Sequence, residues 1–221
     1  MGFKATVSLT EQIADHLGSE IIHGRLAPSQ RIQELAIART LGVSRGSVRE
    51  ALLILEGRNL IQIIPRRGAI VSDLGDDQIE NLSRLTADLL VRLFQKTSRN
   101  LRRNPQEHLL APLQAAVKSM EDSVERHDLD QLLKARLDLV EAAFPVAHDH
   151  YLESVVRGLI PAALRLTHLV SQKESFDMRD TTRSARALLD AILSGDEVRI
   201  QELIEASSRR ERILATAAAV H

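Results

Sequence analysis

Residues 32–71 read IQELAIARTLGVSRGSVREALLILEGRNLIQIIPRRGAIV, and the pattern inside this stretch decides the fold. Two short helical segments flank Leu41-Gly42-Val43, where glycine can take positive φ between helices that cross steeply. Ser44 is placed to N-cap the second helix by accepting the amide of Ser47. Val48, Ala51, Leu52 and Leu55 give that helix an apolar face. Arg45 and Arg49 are four residues apart, so they project together near its N-terminal end. A helix-turn-helix offers side chains to the major groove at this place, where arginine forks onto guanine O6 and N7 or holds phosphate. Asn59 to Ile64 reads as a strand, Pro65-Arg66-Arg67-Gly68 as a turn, and Ala69 to Val71 as the return strand. Two arginines at a hairpin tip suit a run of phosphates or a minor groove. Together these segments make a winged helix-turn-helix.

Upstream, Ser8 or Thr10 caps a helix that runs to about His23, with Leu9, Ile13, Leu17, Ile21 and Ile22 as its buried stripe. Met1 to Val7 is expected to be a loose tail, Gly24 to stop the helix and Pro28 to stiffen the loop after it. Gln33 to Thr40 is the first helix of the helix-turn-helix, with Leu35, Ala36 and Ile37 expected on its buried side. Glu50 and Glu56 are expected to pair within the domain rather than to carry chemistry. A short polar hinge, Ser72 to Asp77, follows the wing, and the domain boundary is placed there, with domains of 1–73 and 74–221.

The motif LGVSRGSVREAL followed by an RRG wing resembles the signature of the GntR family of bacterial transcription regulators. Its parts recur in order and spacing over about 65 residues, which makes the signature specific. Two positions depart from it. Gly46-Ser47 stand where the family often has Thr-Pro, and Pro28-Ser29 where it often has Pro-Gly. Gly46 loosens the first turn of the recognition helix and removes a side-chain contact. The residues implied for DNA are Arg45, Ser47 and Arg49 in the recognition helix, Ser44 at its start, Arg66, Arg67 and Gly68 in the wing, and Arg39 on phosphate.

Composition bounds the rest. The chain has 221 residues, a net charge of −1 and no cysteine. It therefore has neither disulfides nor thiolate metal sites, which suits a reducing cytoplasm. No signal-peptide core opens it, and no apolar run is long enough to span a bilayer, so no membrane partner is expected. The global charge does not mark a nucleic-acid binder, but the local charge does. Between Arg25 and Arg67 stand eight arginines and three glutamates, a basic surplus confined to the segment that the motif occupies.

Behind the hinge the chain reads as helix throughout, over 76–99, 105–126, 129–147, 149–172, 178–194 and 196–219. The class is mainly α, with about six helices in the second domain. Aromatic residues make up only 2% of the chain, so this core is built from Leu, Ile, Val and Ala, helix on helix. Pro145 and Pro161 are expected to kink their helices or end them early. Such a domain behind a GntR-type head resembles the FadR branch, whose effector-binding domain is called FCD. The segment Leu188-Leu189-Asp190-Ala191-Ile192-Leu193-Ser194-Gly195-Asp196 carries part of that likeness.

Many FCD domains hold a divalent metal with one Asp and three His. Alignment through Gly195-Asp196 and through Asp149-His150-Tyr151-Leu152 puts those positions at Arg136, Val140, Ala185 and Ser207. Val and Ala cannot donate to a metal and Arg repels one, so no metal and no other cofactor is expected. Arg136 could instead hold a carboxylate effector bidentately, or it could pair with a carboxylate on its own or another helix. Arg165, Arg84 and His168 are further candidates for the same cavity, His168 otherwise being a packed histidine between Leu166 and Leu169. His148 and His150 bracket Asp149 at a helix junction, where they could form a local metal site but read as solvated, and His16, His23, His108 and His127 read as surface or cap positions.

The resemblance implies a ligand-responsive regulator that binds a short inverted-repeat operator in double-stranded DNA as a homodimer, since pairing doubles a small interface. The expected effector is a small carboxylate. An apolar acyl ligand is the competing class, and an effector-independent DNA binder the third. No nucleophile elbow, HExxH or phosphate-binding glycine loop is present, so no enzyme is expected.

Overall fold

In a computed structural model that describes residues 8–216, the chain divides into two compact units. Of the described residues, the first holds those up to Gln78 together with Gly158–Leu166, and the second holds the rest. The expected tail before Ser8 lies outside the described residues.

The first unit orders α1 (Leu9–Ile22), α2 (Glu34–Leu41), α3 (Arg45–Gly57), β1 (Ile61–Ile64) and β2 (Gly68–Val71). Ser8 caps α1 and exchanges bonds with Glu11 in a capping box, satisfying two backbone donors at once. Gly42 closes α2 at φ 66, the left-handed geometry that a glycine accepts without a Cβ clash. The strands pair antiparallel with Ile61 opposite Val71 and Ile64 opposite Gly68. The loop after α1 joins them, Ile32 donating to the Ala69 carbonyl at 2.9 Å and Val71 to the Gln30 carbonyl at 2.9 Å. Ile13, Leu17, Ile21, Val48, Leu52, Leu55, Leu60, Ile61 and Val71 form one core, so the wing is packed onto the helices by its own apolar residues.

Three details differ from the expected pattern, the first being Leu9, expected in the buried stripe of α1 but 53% exposed at the helix start, where it lies beyond the reach of the core. Leu35 is 46% exposed and Ala36 is exposed, while Ile32 and Ala38 are buried. In a helix of eight residues only one i, i+4 line can face α3, and the line through Ala38 and its neighbours Ile37 and Leu41 takes that place. The first strand begins at Ile61 rather than Asn59. Asn59 sits in the left-handed region at φ 58 and its amide donates to the Gly158 carbonyl at 3.1 Å. Glu50 and Glu56 do bind within the head, but by hydrogen bonds rather than ion pairs: Glu50 accepts from the Thr10 hydroxyl and Glu56 from the Ile63 amide.

The second unit is built from α4 (Asp76–Arg103), α5 (Glu107–Arg126), α6 (Leu129–Ala147), α7 (His150–Ser171), α8 (Met178–Ser194) and α9 (Glu197–Thr216), with the middle of α7 grouped with the head. Asp128, Asp149 and Asp177 cap α6, α7 and α8, which explains why these helices begin where their aspartates stand. Helices α6 and α7 run on past Pro145 and Pro161, and α5 contains Pro112. The core is mainly aliphatic, with Leu93, Leu113, Met120, Leu132, Leu189, Ile192 and Ile200 fully buried and Phe94 and Phe144 buried beside them. No helix among the described residues is long and apolar enough to cross a membrane.

Candidate nucleic-acid interface and helical domain

The N-terminal turn of α3 is organised by Ser44. Its hydroxyl accepts the Ser47 amide at 3.0 Å and lies 2.9 Å from the Ser47 hydroxyl. The cap leaves the first turn of α3 on the surface, and the apolar line Val48, Ala51, Leu52 and Leu55 is buried beneath it. Arg45 and Arg49 therefore point outward, 59% and 64% exposed.

Both arginines reach Glu34 at the start of α2. Arg49 donates Nη2 to Oε2 at 2.9 Å and Nε to Oε1 at 3.4 Å, and Arg45 reaches the same carboxylate at 3.5 Å. The Arg49 hydrogen bond holds the Glu34 carboxyl below its ordinary value, with Arg45 adding to the effect and burial opposing it. Glu34 was not singled out by the sequence. Its only signal there is an acidic residue at the first turn of a helix whose neighbour carries the arginines, and the pairing itself arises only when the turn at Gly42 folds α2 back on α3.

Arg39, Arg66 and Arg67 are exposed and make no ion pair within the described residues. Arg66 takes a left-handed φ of 66 and Gly68 a φ of 83, which turns the wing tightly. A Cβ on Gly68 would meet the Arg31 guanidinium, so Arg31 also stands beside the wing, brought there by the bridge between Arg31 and Ile70. The eight positions expected for DNA thus all belong to the first unit, on α2, α3 and the wing.

The four positions expected around an effector do not share one environment. Arg84 on α4 is exposed and paired with Glu80. Arg136 on α6 is partly buried and ion-paired with Glu211 on α9, so a carboxylate ligand at Arg136 would have to displace Glu211. Arg165 is 4% exposed and belongs to the first unit. It donates Nη1 to the Ser72 carbonyl at 2.8 Å, while Nη2 has no partner among the described residues. Burial pushes its pKa down, against the nearby Asp73 charge. His168 is half-buried on α7 and its carbonyl accepts from the Ser171 hydroxyl.

Of the positions aligned with the metal ligands, Ala185 is buried and Val140 and Ser207 are half-buried. Among the described residues no three His, Cys, Asp or Glu side chains gather where they could hold a metal ion. His148 takes the left-handed position that ends α6. Asp149 is committed to Lys96 at 2.7 Å and to the Leu152 amide at 3.1 Å. His150 packs at the start of α7 against the Tyr151 ring.

Comparison with known proteins covers both units. Residues 9–71 match the family described as bacterial regulatory proteins, gntR family, and residues 84–209 match the FCD domain. The chain is 31% identical over 127 residues to the HTH-type transcriptional regulator McbR of Escherichia coli strain K12, an alignment covering 58% of this chain and 56% of that protein. It is 36% identical over 76 residues to the HTH-type transcriptional repressor RspR of the same organism, covering 34% of this chain and 33% of that one. The matched stretches thus span about half of the first relative and a third of the second. The fold is similar to that of E. coli McbR/YncC, with a TM-score of 0.75 at 23% identity, covering 96% of this chain and 99% of that one.

Proposed function

The chain belongs to the GntR family of bacterial regulatory proteins, with an FCD domain behind its winged head, and from that premise we propose that it is a ligand-responsive transcription regulator acting on double-stranded DNA. The observation that carries the reading is the outward pair Arg45 and Arg49 on a helix capped by Ser44, in one unit with the wing arginines Arg66 and Arg67, which have no ion pair among the described residues. Arg49 reads a base edge and Arg45 a base edge or phosphate. Ser44 and Ser47 contact the backbone at the helix start, Arg39 holds a phosphate, and Gly68 lets the wing approach the sugar-phosphate chain.

A single head makes few base contacts, so the operator is a short inverted repeat read by a homodimer in the cytoplasm. The hinge after residue 73 divides a DNA-binding domain from an effector domain. A small carboxylate in the helical domain shifts the heads only as far as its affinity differs between their arrangements. The chemistry of the reading is binding, and it assigns no catalysis and no cofactor.

The test is Arg49→Ala against a selected operator, followed by fluorescence anisotropy. Loss of a base-edge contact weakens operator binding about tenfold to a hundredfold and relaxes specificity at one base pair, while random duplex is bound almost as before. Intact operator affinity in Arg49→Ala would remove α3 from the recognition role.

A further inference from the structure

The register of α4 against α9 sets like charges opposite one another. The Ser83 and Ser208 hydroxyls meet at 2.8 Å in the buried seam between these helices. On one side of that contact Arg212 pairs with Glu80 at 3.0 Å. On the other, the Gln95 amide donates to the Glu197 carbonyl at 3.1 Å. Numbers fall along one helix as they rise along the other, so the two run antiparallel. This register brings Arg84 level with Arg209 and, one turn along, Asp88 level with Glu205. All four are exposed and line a cavity of about 340 Å³ that opens to solvent, with Ala87, Ser208 and Arg212 also on its wall.

The cavity is therefore cationic at one end and anionic at the other. Charges placed only to join the helices would alternate across the seam, because opposite signs attract and like signs repel. Here Glu80 and Arg212 are opposite in sign, but the next two cross-seam pairs, Arg84 with Arg209 and Asp88 with Glu205, are alike in sign. Neither Arg209 nor Asp88 has an ion pair or hydrogen bond among the described residues. Glu205 accepts only from Gln201 on its own helix. At the cationic end the single carboxylate of Glu80 serves both Arg84 and Arg212, which leaves guanidinium donors in excess.

We propose that this cavity binds a small zwitterion, its carboxylate between Arg84 and Arg209 and its ammonium between Asp88 and Glu205. Guanidinium forks take a carboxylate bidentately, and two carboxylates suit an ammonium with three donors. Positions four apart on a helix rise about 6 Å, so the ligand's charges are separated by a similar distance. That spacing fits an ω-amino acid rather than an α-amino acid, and the cavity volume lies at the small end of ligand sites. The site deepens the effector reading of the helical domain and rests on it.

The experiment measures melting temperature and calorimetric affinity of the full chain with γ-aminobutyrate and δ-aminovalerate. Butyrate, valerate and butylamine serve as single-charge controls. At about 100 times its Kd a zwitterion raises the melting temperature by several degrees, and the controls do not. Arg209→Gln and Asp88→Asn each weaken binding about tenfold or more while leaving operator affinity unchanged, since each removes a charge-assisted bond. No shift with either zwitterion, or undiminished binding in both variants, overturns the site. Zwitterion binding that both variants lose, with the wild-type chain binding its operator equally well with and without zwitterion, upholds the site and overturns its role as effector.

Discussion

Arg49 Nη2 lies 2.9 Å from Glu34 Oε2, and Arg45 reaches the same oxygen at 3.5 Å. One carboxylate of α2 thus holds both arginines at the tip of α3. A guanidinium already fixed loses less side-chain entropy when it forks onto a base. The carboxylate also repels nearby phosphates, which penalises placements of the head that read no base.

Glu34→Gln separates these effects, because glutamine keeps an acceptor and loses the charge. Affinity for random duplex is expected to rise and the ratio of operator to random binding to fall. If one released arginine gains a phosphate, the slope of log K against log salt steepens by about 0.9. A salt titration on both duplexes measures this. An unchanged ratio and slope would show that Glu34 has no hold on the arginines once DNA is bound.

The same contact gives a pH dependence. The Arg49 hydrogen bond lowers the Glu34 pKa from 4.5, so the ionised form is favoured in the folded head. A carboxyl with a depressed folded pKa contributes its stabilisation above the unfolded value and loses it as pH falls through the folded one. The pair is expected intact at neutral pH and lost only in a window below 4.5. Following the Glu34 side-chain carboxyl carbon by NMR should give a midpoint below that value, and Arg49→Ala should move the midpoint up toward it.

Ser29 offers a stability prediction. It occupies the left-handed region at φ 61 while its amide donates to the Val71 carbonyl at 3.1 Å. The left-handed conformation costs a residue with a Cβ about 1–2 kcal/mol. Glycine costs about 0.4–1 kcal/mol in extra unfolded-state entropy. Ser29→Gly, which restores the Pro-Gly of the GntR signature, is therefore expected to stabilise the head by about 0.5–1 kcal/mol. Denaturant unfolding measures it, and a loss of stability would show that the Ser29 side chain has a role of its own.

How far the sequence could be read follows the range of each interaction. Helices α6 and α8 begin and end where Asp128, Asp177 and Gly195 place them, because a cap acts within a few residues. The buried face of α3 follows from its own 3.6-residue period. Leu35 and Ala36 face solvent although their spacing fits a buried side, because several faces of a short helix are similarly apolar and the packing partner chooses among them. The Arg136–Glu211 pair and the register of Ser83 with Ser208 join residues 75 and 125 apart. No local pattern encodes such contacts. The charged cavity between α4 and α9 depends on that register, so no stretch of sequence around Arg84 alone encodes it.

Arg165 makes the last prediction. The residue is 4% exposed, its guanidinium bonded once to the Ser72 carbonyl and left with a buried Nη2 that has no partner among the described residues. Asp73 acts on it only through space. A buried charge without a bonded counterion carries a desolvation penalty that one neutral hydrogen bond does not offset. Methionine has a similar length and no charge. Arg165→Met therefore removes the penalty and forfeits one bond worth about 1 kcal/mol, so the melting temperature should hold or rise. Arg165→Lys keeps the charge but replaces the fork with a single ammonium, so it should melt lower than both wild type and Arg165→Met. Thermal unfolding of the three proteins at one pH decides the matter. If Arg165→Met melts well below wild type, the guanidinium has a stronger partner than Ser72, and the account of its burial fails.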